Sequence, residues 1–176
     1  MLFMGAERRY MAYNPDVHHR KSIRLKEYDY SQKGMYFITI CTKNRLCILS
    51  EIVGAHDCAQ IKLYNEGQIL EKELLKTEKI HTNIRIFNYI IMPNHVHIII
   101  NISSNQSRAQ SCAPTKTIGN IIRGIKSAVS KQIGYSIWQR NYYEHVIRNE
   151  KELYKIIEYI DNNPYNWEND PNYIKL

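Results

Sequence analysis

Two histidines one residue apart, His95 and His97, open the apolar run HVHIIINI at 95–102, immediately after Met92-Pro93-Asn94. Residues i and i+2 of a strand point to the same side, so both imidazoles project together while Val96 faces the other way. Neutral imidazoles side by side suit a divalent metal. Their place at the start of the strand puts them at the rim of a sheet, within reach of solvent and substrate. Two structural histidines, hydrogen-bonded near a sheet edge, are the plainer alternative.

Size and order separate the uses of such a pair. Binuclear metal hydrolases on barrels of eight β/α units carry it on an early strand and run to about 250 residues. This chain has 176, and its pair comes late. Nucleotide hydrolases that use a third alternate histidine as nucleophile would need one at position 99, which is Ile99. A one-metal phosphodiesterase remains, with a third ligand and a nucleophile drawn from elsewhere in the chain.

The segment NEKELYKIIEYIDNNP (149–164) offers both. Leu153, Ile156, Ile157 and Ile160 form an apolar helical stripe. Tyr159 and Asn163, spaced i and i+4, sit one above the other at its border. An asparagine carbonyl oxygen can ligate a metal, and a tyrosine hydroxyl can attack phosphorus. A free phenol, with a pKa of about 10, is a poor nucleophile at neutral pH; a nearby cation would favour phenolate. The chain has 14 tyrosines. Tyr142, Tyr143 and Tyr154 are rivals to Tyr159 on these grounds.

The elements that must position these groups follow from periodicity. Residues 35–43 (MYFITICTK) read as a strand. Residues 61–80 begin extended, and Ile69, Leu70, Leu74 and Leu75 then place a helix over about 65–79. A second strand covers 82–92, the Pro-Asn turn reverses it, and 95–102 is its antiparallel partner. The polar stretch 103–116 is a surface loop. Ile118, Ile121, Ile122, Ile125, Val129 and Ile133 predict a helix packed on one face, over 117–133. Residues 135–147 read as extended. The last helix starts at Asn149, with Glu152 as its capping-box partner, and ends at Asn163 before Pro164. The order β, α, β, β, α, β and a final helix predicts an α+β, ferredoxin-like (split βαβ) antiparallel sheet with two helices on one face. A basic arm over 1–33, a catalytic domain over 34–168 and a tail over 169–176 complete the expected organisation.

The net charge of +7 favours polyanionic partners without specifying one. The four cysteines have no metal-site spacing and no secretory signal precedes them, so reduced thiols and a cytoplasmic location are expected. No apolar run is long enough to span a membrane.

Three motifs in order, Met92-Pro93-Asn94-His95-Val96-His97, then Trp138-Gln139-Arg140-Asn141-Tyr142-Tyr143-Glu144-His145-Val146-Ile147-Arg148-Asn149, then Tyr159-Ile160-Asp161-Asn162-Asn163-Pro164, closely resemble REP-associated tyrosine transposases. These form part of the single-tyrosine branch of the HUH (histidine–hydrophobic–histidine) nucleases, and the resemblance spans residues 20–168. It implies Mg2+ or Mn2+ held by His95, His97 and Asn163, where related transposases use glutamine at the third position. It also implies Tyr159 as the nucleophile. The implied substrate is single-stranded DNA carrying a palindromic hairpin, cleaved through a 5′-phosphotyrosine and rejoined by the freed 3′-hydroxyl. Imidazole ligands favour higher activity with Mn2+ than with Mg2+.

DNA contacts are expected from the basic face of the 117–133 helix (Arg123, Lys126, Lys131), from Arg140 and Arg148, and from Arg20, Lys21 and Arg24 in the arm. Trp138, Tyr142 and Tyr143 could stack on bases or belong to the core. A homodimer, and with it a Tyr159 that serves a partner's histidines, stays open. So does a domesticated or non-catalytic DNA- or RNA-hairpin-binding protein of the same fold, in which Tyr36 and Phe37 would face RNA.

Overall fold

The computed structural model describes residues 33–54, 59–103 and 117–174. Arg20, Lys21 and Arg24, and nearly all of the 103–116 loop, lie outside the described residues. Among the described residues, six strands and three α-helices run in the order β1 (Gly34–Cys41), β2 (Ser50–Val53), β3 (Gln60–Leu63), α1 (Asn65–Ile80), β4 (Ile84–Ile91), β5 (His95–Ile102), α2 (Ile118–Ile133), β6 (Tyr143–Ile147) and α3 (Glu150–Asn162). Four of the strands form one antiparallel sheet in the order β4-β5-β1-β6. This is the ferredoxin-like arrangement that the order of elements predicted. Among the described residues, no helix is long and apolar enough to cross a membrane.

The two faces of the sheet receive different cover. Tyr36, Ile38, Ile40, Val96, Ile98, Ile100 and Ile102 meet Leu70 and Leu74 of α1 and Ile118, Ile121, Ile122, Ile125 and Val129 of α2. Phe37, Ile99 and Ile147 point the other way and meet Ile160 of α3, with Leu153, Ile156 and Ile157 beside it. Strand β5 is thus buried on both faces, which is why its isoleucines run continuously instead of alternating with polar residues. Both ends of α2 carry standard stop signals. Thr117 caps α2 by accepting from Asn120 N, and Gly134 closes it at φ 91°, a left-handed conformation that glycine adopts without strain.

Two local features differ from the sequence reading. Strands β2 and β3 form a separate hairpin before α1, each four residues long and too short to show an alternation. The hairpin is held close: Tyr64 N donates to Leu49 O, and that carbonyl lies where a Cβ on Gly67, in the first turn of α1, would stand (2.1 Å). Of the extended segment 135–147, only the last five residues join the sheet. Before them Ile137 and Trp138 are buried, Trp138 bridges to Thr42, and Lys126 Nζ takes the carbonyls of Gln139 and Asn141 at 2.8 and 2.9 Å. A lysine thus takes two carbonyls that a strand would offer to a neighbouring strand.

Candidate active site

Period-two geometry places His95 and His97 on the α3 face, opposite Cys41 and Thr39 of β1. Both are buried, at 0% and 2% exposure. The turn before them fixes one ring. Asn94 Nδ2 donates to the carbonyls of Arg45 (3.2 Å) and Asn172 (2.8 Å), so Asn94 Oδ1 must be the acceptor facing His95 Nδ1 at 2.9 Å. His95 therefore carries its proton on Nδ1 and presents a lone pair on Nε2. That lone pair lies 2.9 Å from His97 Nε2. Something positive must occupy the gap, either a proton on His97 Nε2 or a cation. Thr39 Oγ1, 2.8 Å from His97 Nδ1, accommodates both, because a hydroxyl can donate or accept.

Helix α3 completes the site. Asn149 caps it by accepting from Glu152 N at 2.9 Å. The Glu152 carboxylate reaches Arg148 N and His145 rather than Asn149, one residue short of a reciprocal capping box. The helix ends at Asn162, one residue earlier than Pro164 predicted, with Asn163 as its C-terminal cap. Tyr159 is 42% exposed and its hydroxyl lies 3.3 Å from His97 Nε2 of its own chain. Asn163 is buried beside it.

Asp170 is the member that the sequence reading missed. After Pro164 the chain reverses through a single 3-10 turn at Trp167–Asn169 and brings this carboxylate back under the helix end. Its Oδ2 accepts from Tyr159 Oη (3.1 Å) and Asn163 Nδ2 (3.0 Å), and its Oδ1 from Asn172 N. His95, His97 and Asp170 each offer a ligand atom, all within 4.8 Å of one another. Asn163 Oδ1 is buried with no hydrogen-bond partner among the described residues. Two imidazole nitrogens, a carboxylate and an unpartnered amide oxygen fit a divalent cation of the Mg2+ or Mn2+ type. The turn cluster Asn169-Asp170-Pro171-Asn172 was the available sequence signal for Asp170, since it marks a reversal but not its destination.

The electrostatics follow from burial. Desolvation, reinforced by mutual repulsion at His97, lowers His95 to about 4 and His97 to about 3, although Asp170 works against both shifts. Both imidazoles are neutral at physiological pH, as metal ligation requires. Burial, then the Asp170 charge and hydrogen bond, push Tyr159 up to about 12. For Asp170 burial works upward, but the Asn163 amide, the Asn172 N–H and the Tyr159 hydroxyl hold it below the usual carboxylate range.

Two clefts meet at Tyr159. One, of about 270 Å3, runs along α3 past Lys155, Asn163 and Asn166. The other, of about 500 Å3, passes Phe37, His97, Arg45, Gln139, Asn141 and Tyr143. Arg45 and Asn44 both take left-handed backbone (φ 55° and 56°), uncommon outside glycine, and Arg45 Nη1 donates to Pro171 O at the cleft edge. The expected DNA-contact residues are spread over the molecule. Arg140 and Arg148 are exposed at either end of the segment that carries β6, whereas Arg123 and Lys131 are exposed on α2, across the sheet from the histidines. Lys126 does not stand free on the helix surface, because it is committed to the two carbonyls and burial draws it down to about 8. Trp138 is core, with Nε1 donating to Lys126 O.

A ferredoxin-like sheet that presents a His-x-His pair to a helical tyrosine is the arrangement of the single-tyrosine HUH class. Residues 30–163 match the family described as "Transposase IS200 like", and the chain belongs to that transposase family. It is 39% identical to an "Uncharacterized protein" of Haemophilus influenzae, over 92% of this chain and 97% of that one. It is 27% identical to a "Putative REP-associated tyrosine transposase" of the same organism, over 77% and 73% of the two chains. Its fold is similar to that of a solved REP-associated tyrosine transposase bound to a REP hairpin, with a TM-score of 0.58, 22% identity, and coverage of 80% of this chain and 73% of that one.

Proposed function

We propose that this transposase cleaves and rejoins hairpin-bearing single-stranded DNA, with Tyr159 as nucleophile. The observation that carries the reading is the Tyr159 hydroxyl, 3.3 Å from the metal-competent His97 nitrogen and hydrogen-bonded to the Asp170 carboxylate. The phenol oxygen attacks phosphorus, the bond to the 3′ oxygen breaks, and a 5′-phosphotyrosine forms while the 3′ oxygen leaves as a hydroxyl. Attack by a 3′-hydroxyl reverses these bonds and rejoins the strands without an external energy source.

His95, His97, Asp170 and Asn163 would hold Mg2+ or Mn2+, which supplies Lewis-acid charge at the phosphate and favours phenolate. The chain's own contribution is orientation. Asp170 and His97 fix the phenol, Phe37 packs edge-on to the Tyr159 ring (6.2 Å), and Asn163 holds Asp170. The hydrogen bond to Asp170 also keeps the resting tyrosine protonated, so that activation requires positive charge to arrive. Because Tyr159 reaches the histidines of its own chain, this arrangement needs no partner subunit.

A hairpin substrate is supported by the solved relative that binds one. Arg45 and Lys155, one in each cleft beside Tyr159, join Arg140 as phosphate contacts near the site, with Arg148 at the far end of β6 and Arg123 and Lys131 on α2 left for DNA that passes beyond it. Strand cleavage of labelled hairpin DNA tests the reading. It should require Mn2+ or Mg2+, stop on EDTA, and stop in Tyr159→Phe. Binding of the hairpin with no cleavage under any metal would instead favour a non-catalytic binding protein.

A further inference from the structure

The motif around Trp138 takes no part in the phosphoryl chemistry, yet it forms one wall of the larger cleft beside Tyr159. Phe37 is the hub of the rings in that cleft. Its ring stacks on His97 (5.2 Å, 26°) and meets Tyr143 edge-on at 6.3 Å, as it meets Tyr159. Tyr143 pairs with Thr39 in the sheet, so its side chain shares the face of the histidines, and it is 52% exposed. Gln139 and Asn141 line the same cleft. Both residues are exposed, and neither carboxamide has a hydrogen-bond partner among the described residues.

The backbone that carries those two amides is unusually well tied for a surface loop. Lys126 Nζ donates to the Gln139 and Asn141 carbonyls, Gln139 N donates to Cys41 O, and Trp138 Nε1 donates back to Lys126 O. A lysine that only stapled a loop to α2 would not account for two unpartnered amides and an exposed ring lining the nucleophile's cleft. An aromatic face and a fixed donor–acceptor pair are what an unpaired base requires, one for stacking and one for its edge.

We propose that this cleft seats a single unpaired nucleotide adjoining the scissile phosphate, with its base stacked on Tyr143 and read by Gln139 and Asn141. Lys126 is the positioning residue that holds both amides in place. Adenine is the matched base, because a carboxamide's N–H and C=O complement its N7 and N6–H groups. The assignment rests on the cleavage reading above and adds protein-borne base selectivity to it.

The test uses the full chain and hairpin-bearing single-stranded DNA with 2-aminopurine placed at each unpaired position in turn, in EDTA so that nothing is cut. Quenching should concentrate at one position, and Tyr143→Ala should relieve it there. With Mn2+, changing adenine at that position to cytosine should slow adduct formation roughly tenfold or more. In the double variant Gln139→Leu/Asn141→Leu, the rate on adenine should fall to that on the other bases. Lys126→Met should lose the same discrimination. Because that variant removes a half-buried staple, the double variant decides if Lys126→Met fails to fold. Equal quenching at every position, or a base preference that survives the double variant, overturns the proposal. An adduct without position-specific quenching spares the cleavage reading and sinks this one, whereas position-specific quenching without an adduct does the reverse.

Discussion

The two faces of the central sheet are built from alternate residues of the same strands, and they have been put to different uses. On one, Ile98 and Ile100 of β5 and Ile38 and Ile40 of β1 are sealed under α1 and α2. On the other, α3 covers Phe37, Ile99 and Ile147 but leaves the neighbouring positions to His95, His97 and Thr39. The polar groups there are buried all the same, and nearly all are matched: Asn94 to His95, Thr39 to His97, Asp170 to Tyr159 and Asn163. One face holds the fold together. The other holds a constellation in place, and the half-covered helix layer is what keeps it reachable.

If that division holds, substitutions should separate into loss of chemistry and loss of stability. The largest effect is expected from Tyr159→Phe, with no detectable strand cleavage while the thermal midpoint stays close to that of the parent, read by gel assay and calorimetry. Ile98→Ala, on the sealed face, should cost about 2–5 kcal/mol, read by urea unfolding. A cost below that range, or an effect on cleavage alone, would break the comparison.

Acid should act on the site face. In the unfolded chain both histidines protonate near 6.5, whereas burial holds them to about 4 and about 3 in the fold. The unfolded state thus binds more protons between those values. The stability is fully present above about pH 6.5 and falls as the pH drops toward the folded values, by up to roughly 1.4 kcal/mol per pH unit for each histidine. Asp170, which faces both rings, moderates the fall. The double variant His95→Gln/His97→Gln should flatten the profile of unfolding free energy against pH, and an unchanged slope would show that the acid sensitivity lies elsewhere. A smaller effect belongs to the edge of the sealed face. Gly67→Ala forces a Cβ against Leu49 O and should cost about 1–3 kcal/mol in unfolding experiments, without altering metal-dependent cleavage per folded molecule.

Much of this was legible in the sequence because it obeys short periods. Period two put His95 and His97 on one face, and period 3.6 put Tyr159 and Asn163 on one side of the last helix. The order of elements then selected the ferredoxin-like topology. What could not be read depends on where the chain goes after a break. Asp170 reaches the site only because the segment after Pro164 folds back. Thr39 and Phe37 become neighbours of His97 and Tyr159 only once the β1–β5 register is known. Lys126 looked like a surface charge on a basic helical face, and nothing in its own helix shows that two carbonyls thirteen and fifteen residues on would claim it. Strand β3 showed only as an extended start at residue 61, and β2 was too short to carry a pattern.

The most direct test of the central claim is the identity of the residue that becomes covalently joined to DNA. Labelled hairpin single-stranded DNA incubated with the protein and Mn2+, then digested and mapped by mass spectrometry, should give one 5′-phosphotyrosine, on Tyr159. An adduct on Tyr142, Tyr143 or Tyr154, or one that still forms in Tyr159→Phe, would contradict the account.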